Sequence, residues 1–228
     1  MAFNEWASYS TRRRLLDSDL ESIRYVFRGS VLEIGCGSLG RRGRFQVPEE
    51  GVDSWISVDL QNSLRPTVQG DSEYLPFKSE QFDCVVCLEV LEYVSSPEAT
   101  LVELARVLKR GGVLVLACPF LHRADTPTDR WRFTEHGLRR MIDGTGMNLD
   151  QIKSQGAALS VVVNIMRFAV SRVSSRISRN LLSAALYVPL LALFALDETT
   201  SRRLPVLRTF STGYLVVASK GLQEKQVD

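Results

Sequence analysis

Short apolar runs alternate with helical patterns along most of this chain. Residues 82–88 are almost continuously apolar, as expected for a strand covered on both faces. The predicted strands are residues 31–34, 55–60, 67–69, 82–88, 113–117, 149–154 and 214–219. Helical spacing and capping signals predict helices at 17–27, 96–108 and 134–144, the last two with Ser96 and Thr134 as N-caps. This alternation predicts an α/β fold, a doubly wound and mostly parallel seven-stranded sheet.

The last two predicted strands are separated by an unusually long segment of about 59 residues. Residues 154–166 and 180–196 are uncharged, and arginines at 167, 172, 176 and 179 lie between them. The second run has 17 residues, fewer than the roughly 20 that span a bilayer. The last strand must also return to the same sheet, which a single crossing would prevent. We expect an apolar, basic helical hairpin that lies on or dips into a membrane surface; the alternative is a helical cap or a dimer surface over the active site.

The length of 228 residues suits one α/β domain with an appendage. We expect a core at 1–155, an apolar and basic helical insertion at 156–212, and the last core strand with a C-terminal tail at 213–228. Residues 1–150 carry 18 Lys and Arg against 22 Asp and Glu, whereas residues 151–220 carry 9 against 2. Basic residues beside long apolar runs favour an anionic lipid surface over nucleic acid. We therefore expect peripheral membrane contact through 156–205 and no nucleic-acid partner; the oligomeric state stays open.

The cysteines and the N-terminal segment indicate the cellular compartment of the protein. Cys36, Cys84, Cys87 and Cys118 all lie in or beside predicted strands, which is typical of buried thiols in a reducing compartment. Cys84 and Cys87 have metal-like spacing, but positions i and i+3 of a strand point to opposite faces, so we expect no metal site. Residues 1–9 hold polar side chains and no apolar run follows, so we expect no signal peptide. The predicted location is cytoplasmic, peripheral on the inner face of the membrane.

A glycine turn follows the first predicted strand. Gly35 and Gly37 allow a sharp turn and close approach of a ligand, and Glu33 precedes them by two residues. A carboxylate there suits a positively charged ligand better than a pyrophosphate. Asp59, at the end of the second strand, is placed to accept hydrogen bonds from the ribose hydroxyls of a nucleoside. A nicotinamide cofactor fits the same glycines and is the alternative.

Further motifs follow in series. They are GDSEYLPF at 70–77, FD at 82–83, CLEVLEYV at 87–94 and LVELARVLKRGGVLVL at 101–116. With the glycine turn, they resemble the class I S-adenosylmethionine-dependent methyltransferases of the type 11-like group, in order and spacing over about residues 30–120. The resemblance implies a Rossmann-like methyltransferase fold and S-adenosyl-L-methionine as cofactor.

The resemblance also implies roles for individual residues. Gly35 and Gly37 would pass under the methionine part of the cofactor, Glu33 would hold its amino group, and Asp59 would bind the ribose. Asp71 would reach the adenine amino group with Ser72 beside it, and Leu88 and Glu89 would line the pocket near the donor methyl group. Asp71 could instead only form a turn, and Glu89 and Glu92 could be solvated helix charges.

The glycine loop departs from the family pattern. Leu39 replaces a third glycine, and the loop continues with Arg41, Arg42 and Arg44. These arginines could recognise an anionic substrate, or they could be solvated loop charges.

The segment after the fifth strand, PFLHRADTPTDRWRFT at 119–134, resembles a stretch of bacterial methyltransferases that include enzymes of sugars and lipid-linked precursors. Loops at the carboxyl ends of strands line the crevice of such sheets. His122 is the candidate general base for a hydroxyl acceptor. Asp129 could orient His122 or hold substrate, and Arg132 could bind an anionic group; alternatively Asp129 and Arg132 form an ion pair that positions the loop.

These observations predict a methyltransferase that O-methylates a small-molecule, glycan or lipid-linked acceptor at the membrane surface. The alternatives are a non-catalytic, membrane-attached cofactor-binding module and an NAD-dependent oxidoreductase.

Overall fold

A computed structural model of the chain describes residues 9–37, 44–124 and 126–222. Within these residues, seven strands form one sheet in the order β3-β2-β1-β4-β5-β7-β6. The strands are β1 (Gly29–Ile34), β2 (Val52–Asp59), β3 (Val68–Gln69), β4 (Phe82–Leu88), β5 (Leu108–Pro119), β6 (Met147–Ser154) and β7 (Gly213–Lys220). Neighbouring strands from β3 to β5 are parallel, whereas β7 runs antiparallel to β5 and β6. The predicted doubly wound, mostly parallel sheet is confirmed.

The described α-helices are α1 (Thr11–Ser22), α2 (Pro97–Val107), α3 (Glu135–Asp143), α4 (Ala158–Ser171) and α5 (Arg176–Arg203). The predicted N-caps are confirmed, because Ser96 Oγ accepts a hydrogen bond from Ala99 N at 3.2 Å and Thr134 Oγ1 accepts one from Gly137 N at 3.1 Å. α2 ends at Val107, and β5 begins directly after it and contains Gly111 and Gly112.

The predicted helix at 17–27 was wrong in its bounds. The helix begins at Thr11, after Ser10, whose Oγ accepts a hydrogen bond from Arg13 N at 3.1 Å, and a separate 3₁₀ turn occupies Arg24–Val26. Three consecutive arginines, 12–14, lie in its first turn and interrupt the apolar periodicity. That start places Arg12 against the sheet, with consequences for the site.

The sheet is covered on both faces. Leu32 and Ile34 of β1 belong to a core completed by α2 and α3, and Val31 belongs to a second core completed by α1. Strand alternation also separates the cysteines, since Cys84 lies in the second core and Cys87 in the first. Burial on both faces explains why β4 has an almost uninterrupted apolar sequence.

The connection from β6 to β7 contains the predicted apolar helices. α4 and α5 pack against each other around Val163 and Leu190, which are both nearly inaccessible to solvent. Asp197 of α5 is buried and accepts hydrogen bonds from Ala157 N at 2.6 Å and Leu159 N at 3.0 Å, at the N-terminus of α4. This carboxylate satisfies amide groups that the start of a helix otherwise leaves without partners.

The insertion is also where apolar surface is exposed. Twelve of the eighteen exposed large hydrophobic side chains of the described residues lie between residues 162 and 210. Among the described helices, α5 alone is long and apolar enough to cross a membrane, by length and composition. Its most hydrophobic stretch has only 11% of its residues buried, which is not the pattern of a core helix.

Candidate active site

The glycine turn at the end of β1 is closely packed on one side and open on the other. Gly35 has φ +70°, and a Cβ at this position would lie 2.1 Å from Val90 Cγ2. Gly37 has φ +58°, and within the described part of the chain no atom beyond its sequence neighbours lies within 4 Å of the position that a Cβ would take. Gly35 N donates to Val58 O at 2.8 Å, which ties the turn to β2. Only glycine at position 35 permits this backbone and this packing.

A cleft of about 460 Å³ opens beside this turn, at the carboxyl ends of β1, β4 and β5. The sequence-predicted residues that line it are Glu33, Gly35, Gly37, Leu88, Glu89, His122 and Asp129. α1 closes the opposite wall with Ser10, Arg12, Arg13 and Leu16. Seven of the predicted site residues therefore meet in one cavity.

Glu33 and Asp59, the two acids predicted to bind the cofactor, lie beside the glycine turn. Glu33 is 4% exposed, and its Oε2 accepts a hydrogen bond from Trp55 Nε1 at 2.9 Å. Asp59 Oδ2 accepts one from Gly37 N at 3.1 Å, and its Oδ1 accepts one from Gln61 N at 3.0 Å. The Asp59 carboxylate thus lies against the glycine turn but does not belong to the wall of the cleft.

Asp71 and Ser72 are placed differently. Asp71 is exposed in the turn after β3, and its Oδ1 accepts a hydrogen bond from Glu73 N at 2.9 Å, while Ser72 is buried. Neither belongs to the wall of the cleft. The geometry is that of the turn-forming alternative for Asp71.

Glu89 is paired with an arginine that the sequence patterns did not indicate. Both terminal nitrogens of Arg12 contact the Glu89 carboxylate, and Arg12 Nε donates to Thr212 O at 3.3 Å. Burial lowers the pKa of Arg12 to about 10. Glu89 itself has φ +60° at the end of β4. This pair links α1 to the sheet across the cleft, so Glu89 is not a solvated charge.

Glu92 is likewise not a solvated helix charge. It lies in a turn, is 2% exposed and lines the cleft. Its Oε2 is buried and has no hydrogen-bond partner among the residues described. Burial raises the pKa of Glu92 to about 7, against the opposing influence of Arg12. A sequence pattern could not distinguish this position from its neighbours, because its contacts come from residues remote in sequence, such as Arg130 and Trp131, whose backbone N–H groups donate to Glu92 O at 2.8 and 3.2 Å.

The loop after β5 carries the other predicted catalytic residues. Arg132 Nη2 contacts Asp129 Oδ2 at 2.8 Å and also donates to Arg123 O at 2.8 Å. Its Nε donates to His122 O at 3.4 Å. Arg132 therefore binds the backbone beside His122, and this geometry favours the alternative in which the Asp129–Arg132 ion pair positions the loop.

His122 lies at the inner end of this loop. Its Nδ1 is 3.4 Å from Asn164 Nδ2 of α4. Burial lowers the pKa of His122 to about 4, and Arg12, Arg123 and Arg132 act in the same direction. The imidazole is therefore neutral at pH 7, but its low pKa makes it a weaker base than an ordinary histidine.

A second and larger cavity, of about 830 Å³, lies between the 120–123 segment, α4 and α5. Its wall is mainly apolar, and it shares Ser10, His122 and Arg123 with the cleft. The two cavities therefore adjoin at His122. Asn164 and Arg167 of α4, which no motif indicated, also belong to this wall.

The predicted arginine cluster of the glycine loop is only partly described. Arg41 and Arg42 lie outside the described residues. The guanidinium of Arg44 lies over the Tyr9 ring, 4.8 Å from its centroid, and Arg44 N donates to Asp17 Oδ2 at 3.2 Å. Among the residues that the structure describes, no cluster of three or more His, Cys, Asp or Glu side chains is arranged to hold a metal ion.

Comparisons with known proteins agree with this geometry. Residues 32–116 match the family model of a methyltransferase domain. The ubiquinone biosynthesis O-methyltransferase of Hahella chejuensis is 33% identical over 102 residues, 37% of this chain and 40% of that protein. The demethylmenaquinone methyltransferase of Streptomyces avermitilis is 31% identical over 118 residues, 49% of this chain and 50% of that protein. The chain spans about half the length of the curated relatives it matches.

Solved structures share the fold at lower identity. The crystal structure of the [4+2]-cyclase SpnF superposes with a TM-score of 0.61 at 17% identity, covering 92% of this chain and 81% of that one. The likeness extends the fold comparison beyond the matched domain, into the insertion and β7. Because that neighbour is named a cyclase, the fold by itself does not identify the reaction.

Proposed function

We propose that this chain, whose residues 32–116 match a methyltransferase domain, is a class I S-adenosylmethionine-dependent methyltransferase that O-methylates an amphiphilic small-molecule or lipid-linked acceptor at a membrane surface. The observation that carries the proposal is the acid-flanked glycine turn in a cleft of about 460 Å³, which adjoins a mainly apolar cavity at His122. The apolar wall of that cavity makes a glycan the less favoured acceptor.

The residues of the cleft fit S-adenosylmethionine, which would supply a methyl group already activated on a sulfonium. The buried Glu33 carboxylate suits a positively charged amino acid, and Asp59 is placed for the ribose hydroxyls. The open side of Gly37 leaves room for the ligand. Glu89 is bound to Arg12, which leaves Glu33 and Glu92 as the other glutamates of the cleft wall. Asp71 and Ser72 lie farther along the same edge, where the resemblance places the adenine.

The remaining chemistry is alignment of the acceptor and removal of its proton. An acceptor in the apolar cavity would present its hydroxyl at His122, on the wall that the two cavities share. The neutral imidazole would take the hydroxyl proton as the acceptor oxygen forms its bond to the methyl carbon and the sulfur–carbon bond breaks. The Asp129–Arg132 pair would hold the His122 backbone in place. The relatives named for ubiquinone and menaquinone synthesis support an apolar small-molecule acceptor.

Titration calorimetry tests the cofactor. We expect S-adenosylmethionine to bind and NAD not to bind, with Asp59→Ala weakening the affinity about tenfold or more through loss of charge-assisted hydrogen bonds. Asp53→Ala, an exposed acid on the same strand, is the matched control and should bind as the native chain does. Indifference to S-adenosylmethionine at millimolar excess, or an unchanged affinity in Asp59→Ala, would refute the proposal.

A product assay separates catalysis from cofactor binding alone. Lipid and aqueous extracts are incubated with the protein and isotopically labelled S-adenosylmethionine, and labelled products are sought by mass spectrometry. We expect a labelled product in the lipid extract. Binding without any labelled product would favour the non-catalytic cofactor-binding module.

The proposed membrane contact rests on the surface of α5. Ile177, Leu181 and Val188 are each at least 66% exposed and fall on one side of the helix, and exposed arginines lie at both ends, at 172, 176, 202 and 203. α4 has 14 residues, or about 21 Å of helix, too short for the roughly 30 Å hydrocarbon core. Since β6 and β7 also pair in one sheet, we propose that the hairpin lies along the cytoplasmic leaflet.

Vesicle co-sedimentation tests this contact. The native chain should pellet with vesicles rich in phosphatidylglycerol and less with phosphatidylcholine vesicles, and Leu181→Glu with Val188→Glu should release it. Val102→Glu, on exposed surface of α2, is the control. Deletion of 156–205 with a short linker should also abolish pelleting. Unchanged pelleting of both variants contradicts the membrane proposal, and a switch from dimer to monomer in Leu181→Glu would favour a dimer surface.

A further inference from the structure

The larger cavity has the apolar interior of a site for a hydrocarbon tail. Val161 and Leu190 form its buried end, and Leu186, Ile165 and Phe168 continue the wall outward. Its volume of about 830 Å³ is within the range of small-molecule sites, which is about 300–1,000 Å³. The interior therefore suits an apolar ligand that enters from the open end.

The charged side chains in the wall of the larger cavity are all positive within the described part of the chain. The cavity is lined by Arg123, Arg167 and Arg179 and, among the residues that the structure describes, by no carboxylate. The guanidinium of Arg123 lies over the Phe168 ring, 4.4 Å from its centroid, which places a positive charge directly beside the apolar wall. Arg167 donates to Tyr9 O at 2.8 Å and to Thr11 Oγ1 at 3.1 Å, and burial lowers its pKa to about 10. A ligand anion would relieve this concentration of positive charge.

The positive charge extends to the junction with the cleft. His122 and Arg123 belong to both cavities, and Arg12 and Arg132 lie near enough to His122 to disfavour its protonation. Asp129, on the same loop, opposes them and is bound to Arg132. A ligand whose anionic group binds Arg123 would therefore lie next to the His122 imidazole and to the cleft proposed for S-adenosylmethionine.

We propose that this cavity binds a single-chain anionic amphiphile, with its tail between α4 and α5 and its anionic head at Arg123. This inference deepens the proposed function and rests on it only for the assignment of the bound amphiphile as the methyl acceptor. The negative charge of the head group then also favours protonation of His122, whose pKa is lowered by burial and, in the same direction, by the nearby arginines.

Binding of defined probes tests the tail and the charge separately. Dodecyl phosphate below its micelle concentration is compared by calorimetry with dodecyltrimethylammonium, which keeps the tail, and with butyl phosphate, which keeps the head. We expect dodecyl phosphate to bind at least tenfold more tightly than either. Equal binding of the two dodecyl compounds, or of the two phosphates, would overturn the proposal, the latter in favour of a site for a free anion.

Two pairs of variants locate the site. Ser183→Trp fills the cavity from α5, whereas Ser178→Trp adds the same bulk on an exposed position of that helix. Arg123→Ala removes the proposed head-group contact, whereas Arg176→Ala removes an exposed arginine outside the cavity. We expect Ser183→Trp to abolish dodecyl phosphate binding and Arg123→Ala to weaken it about tenfold, with both controls within twofold of the native chain. If the cavity variants bind as their controls do, the ligand is elsewhere.

The two histidines of the chain provide a direct readout at the junction. Proton NMR titration should give a low pKa for His122 in the free protein, and saturating dodecyl phosphate should raise that pKa toward its ordinary value. His136 is exposed on α3 and serves as the internal control. An unchanged pKa of His122 in the saturated protein would contradict a head group at Arg123.

Failure of this inference is distinguishable from failure of the methyltransferase proposal. Dodecyl phosphate binding needs no cofactor, and S-adenosylmethionine binding needs no amphiphile. Cofactor binding without amphiphile binding would overturn only the acceptor site. Amphiphile binding without S-adenosylmethionine binding would support the amphiphile site and overturn the methyltransferase proposal.

Discussion

The cleft beside the glycine turn and the cavity beneath the helical insertion share one wall but are built differently. The cleft is made largely of strand ends and backbone turns, and two of its acids form ion pairs, Glu89 with Arg12 and Asp129 with Arg132. The cavity is made of side chains on α4 and α5, with a wall rich in arginine. In the proposed function, donor binding depends on the conformation of a short backbone segment, whereas acceptor binding depends on how the helical hairpin packs.

The largest effect expected from this difference is at Gly35. Gly35→Ala places a Cβ 2.1 Å from Val90 Cγ2 in a left-handed backbone conformation, so we expect about 4 kcal/mol or more of lost unfolding free energy in urea. Gly37 also has a left-handed backbone conformation, but no described atom lies near the position of its Cβ. Gly37→Ala should therefore lose only about 1 kcal/mol of unfolding free energy. Equal losses at the two positions would mean that packing against Val90 does not constrain the turn.

Glu92 tests how a buried charge in the cleft affects stability. The pKa of Glu92 rises from 4.5 to about 7 on burial, so the native state binds more protons than the unfolded state between those pH values. Stability should therefore fall as pH rises through that window, and Glu92→Gln should remove that fall. We expect the stability of Glu92→Gln relative to the native chain to increase by about 3 kcal/mol between pH 4 and pH 8.

Urea unfolding at a series of pH values measures this difference. Glu50→Gln, an exposed acid on the surface, is the control and should show no comparable trend. A difference between Glu92→Gln and the native chain that does not change with pH would mean that Glu92 ionises in the native state as it does in the unfolded chain.

The hairpin should depend on one buried carboxylate. Asp197→Ala leaves Ala157 N and Leu159 N without their acceptor, so we expect a loss of about 2 kcal/mol and faster hydrogen exchange at the start of α4. Glu198→Gln, at the neighbouring exposed position, should lose less than about 0.5 kcal/mol. Slower or unchanged exchange in α4 would indicate that other contacts hold the two helices together.

The smallest effect is expected on the outer face of α5. Leu181 is 66% exposed, so Leu181→Glu should change the unfolding free energy by less than about 0.5 kcal/mol while still reducing vesicle binding. Thermal unfolding beside the sedimentation assay checks both. A large loss of stability would show that Leu181 packs against another part of the protein, which would argue for a helical cap rather than a membrane contact.

Much of the cleft beside the glycine turn could be predicted from the sequence, because the patterns that determine it are local. The apolar runs determine which segments become strands, and parallel strands bring their carboxyl ends to one edge, so Glu33, Gly37 and Asp59 meet there. The caps at Ser96 and Thr134 are equally local, since a side chain satisfies amide groups three residues away. Periodicity also located the apolar insertion before the last strand.

Tertiary packing alone decided the rest. Arg12 reaches Glu89 because α1 begins earlier than its apolar pattern indicates and crosses the edge of the sheet. Glu92 contacts a loop whose Arg130 N and Trp131 N, 38 and 39 residues later in the chain, donate to its backbone oxygen. The pKa of His122 is lowered by burial and, in the same direction, by arginines from three separate positions. Burial and charge at a site depend on distances between segments remote in sequence, and no local pattern carries those distances.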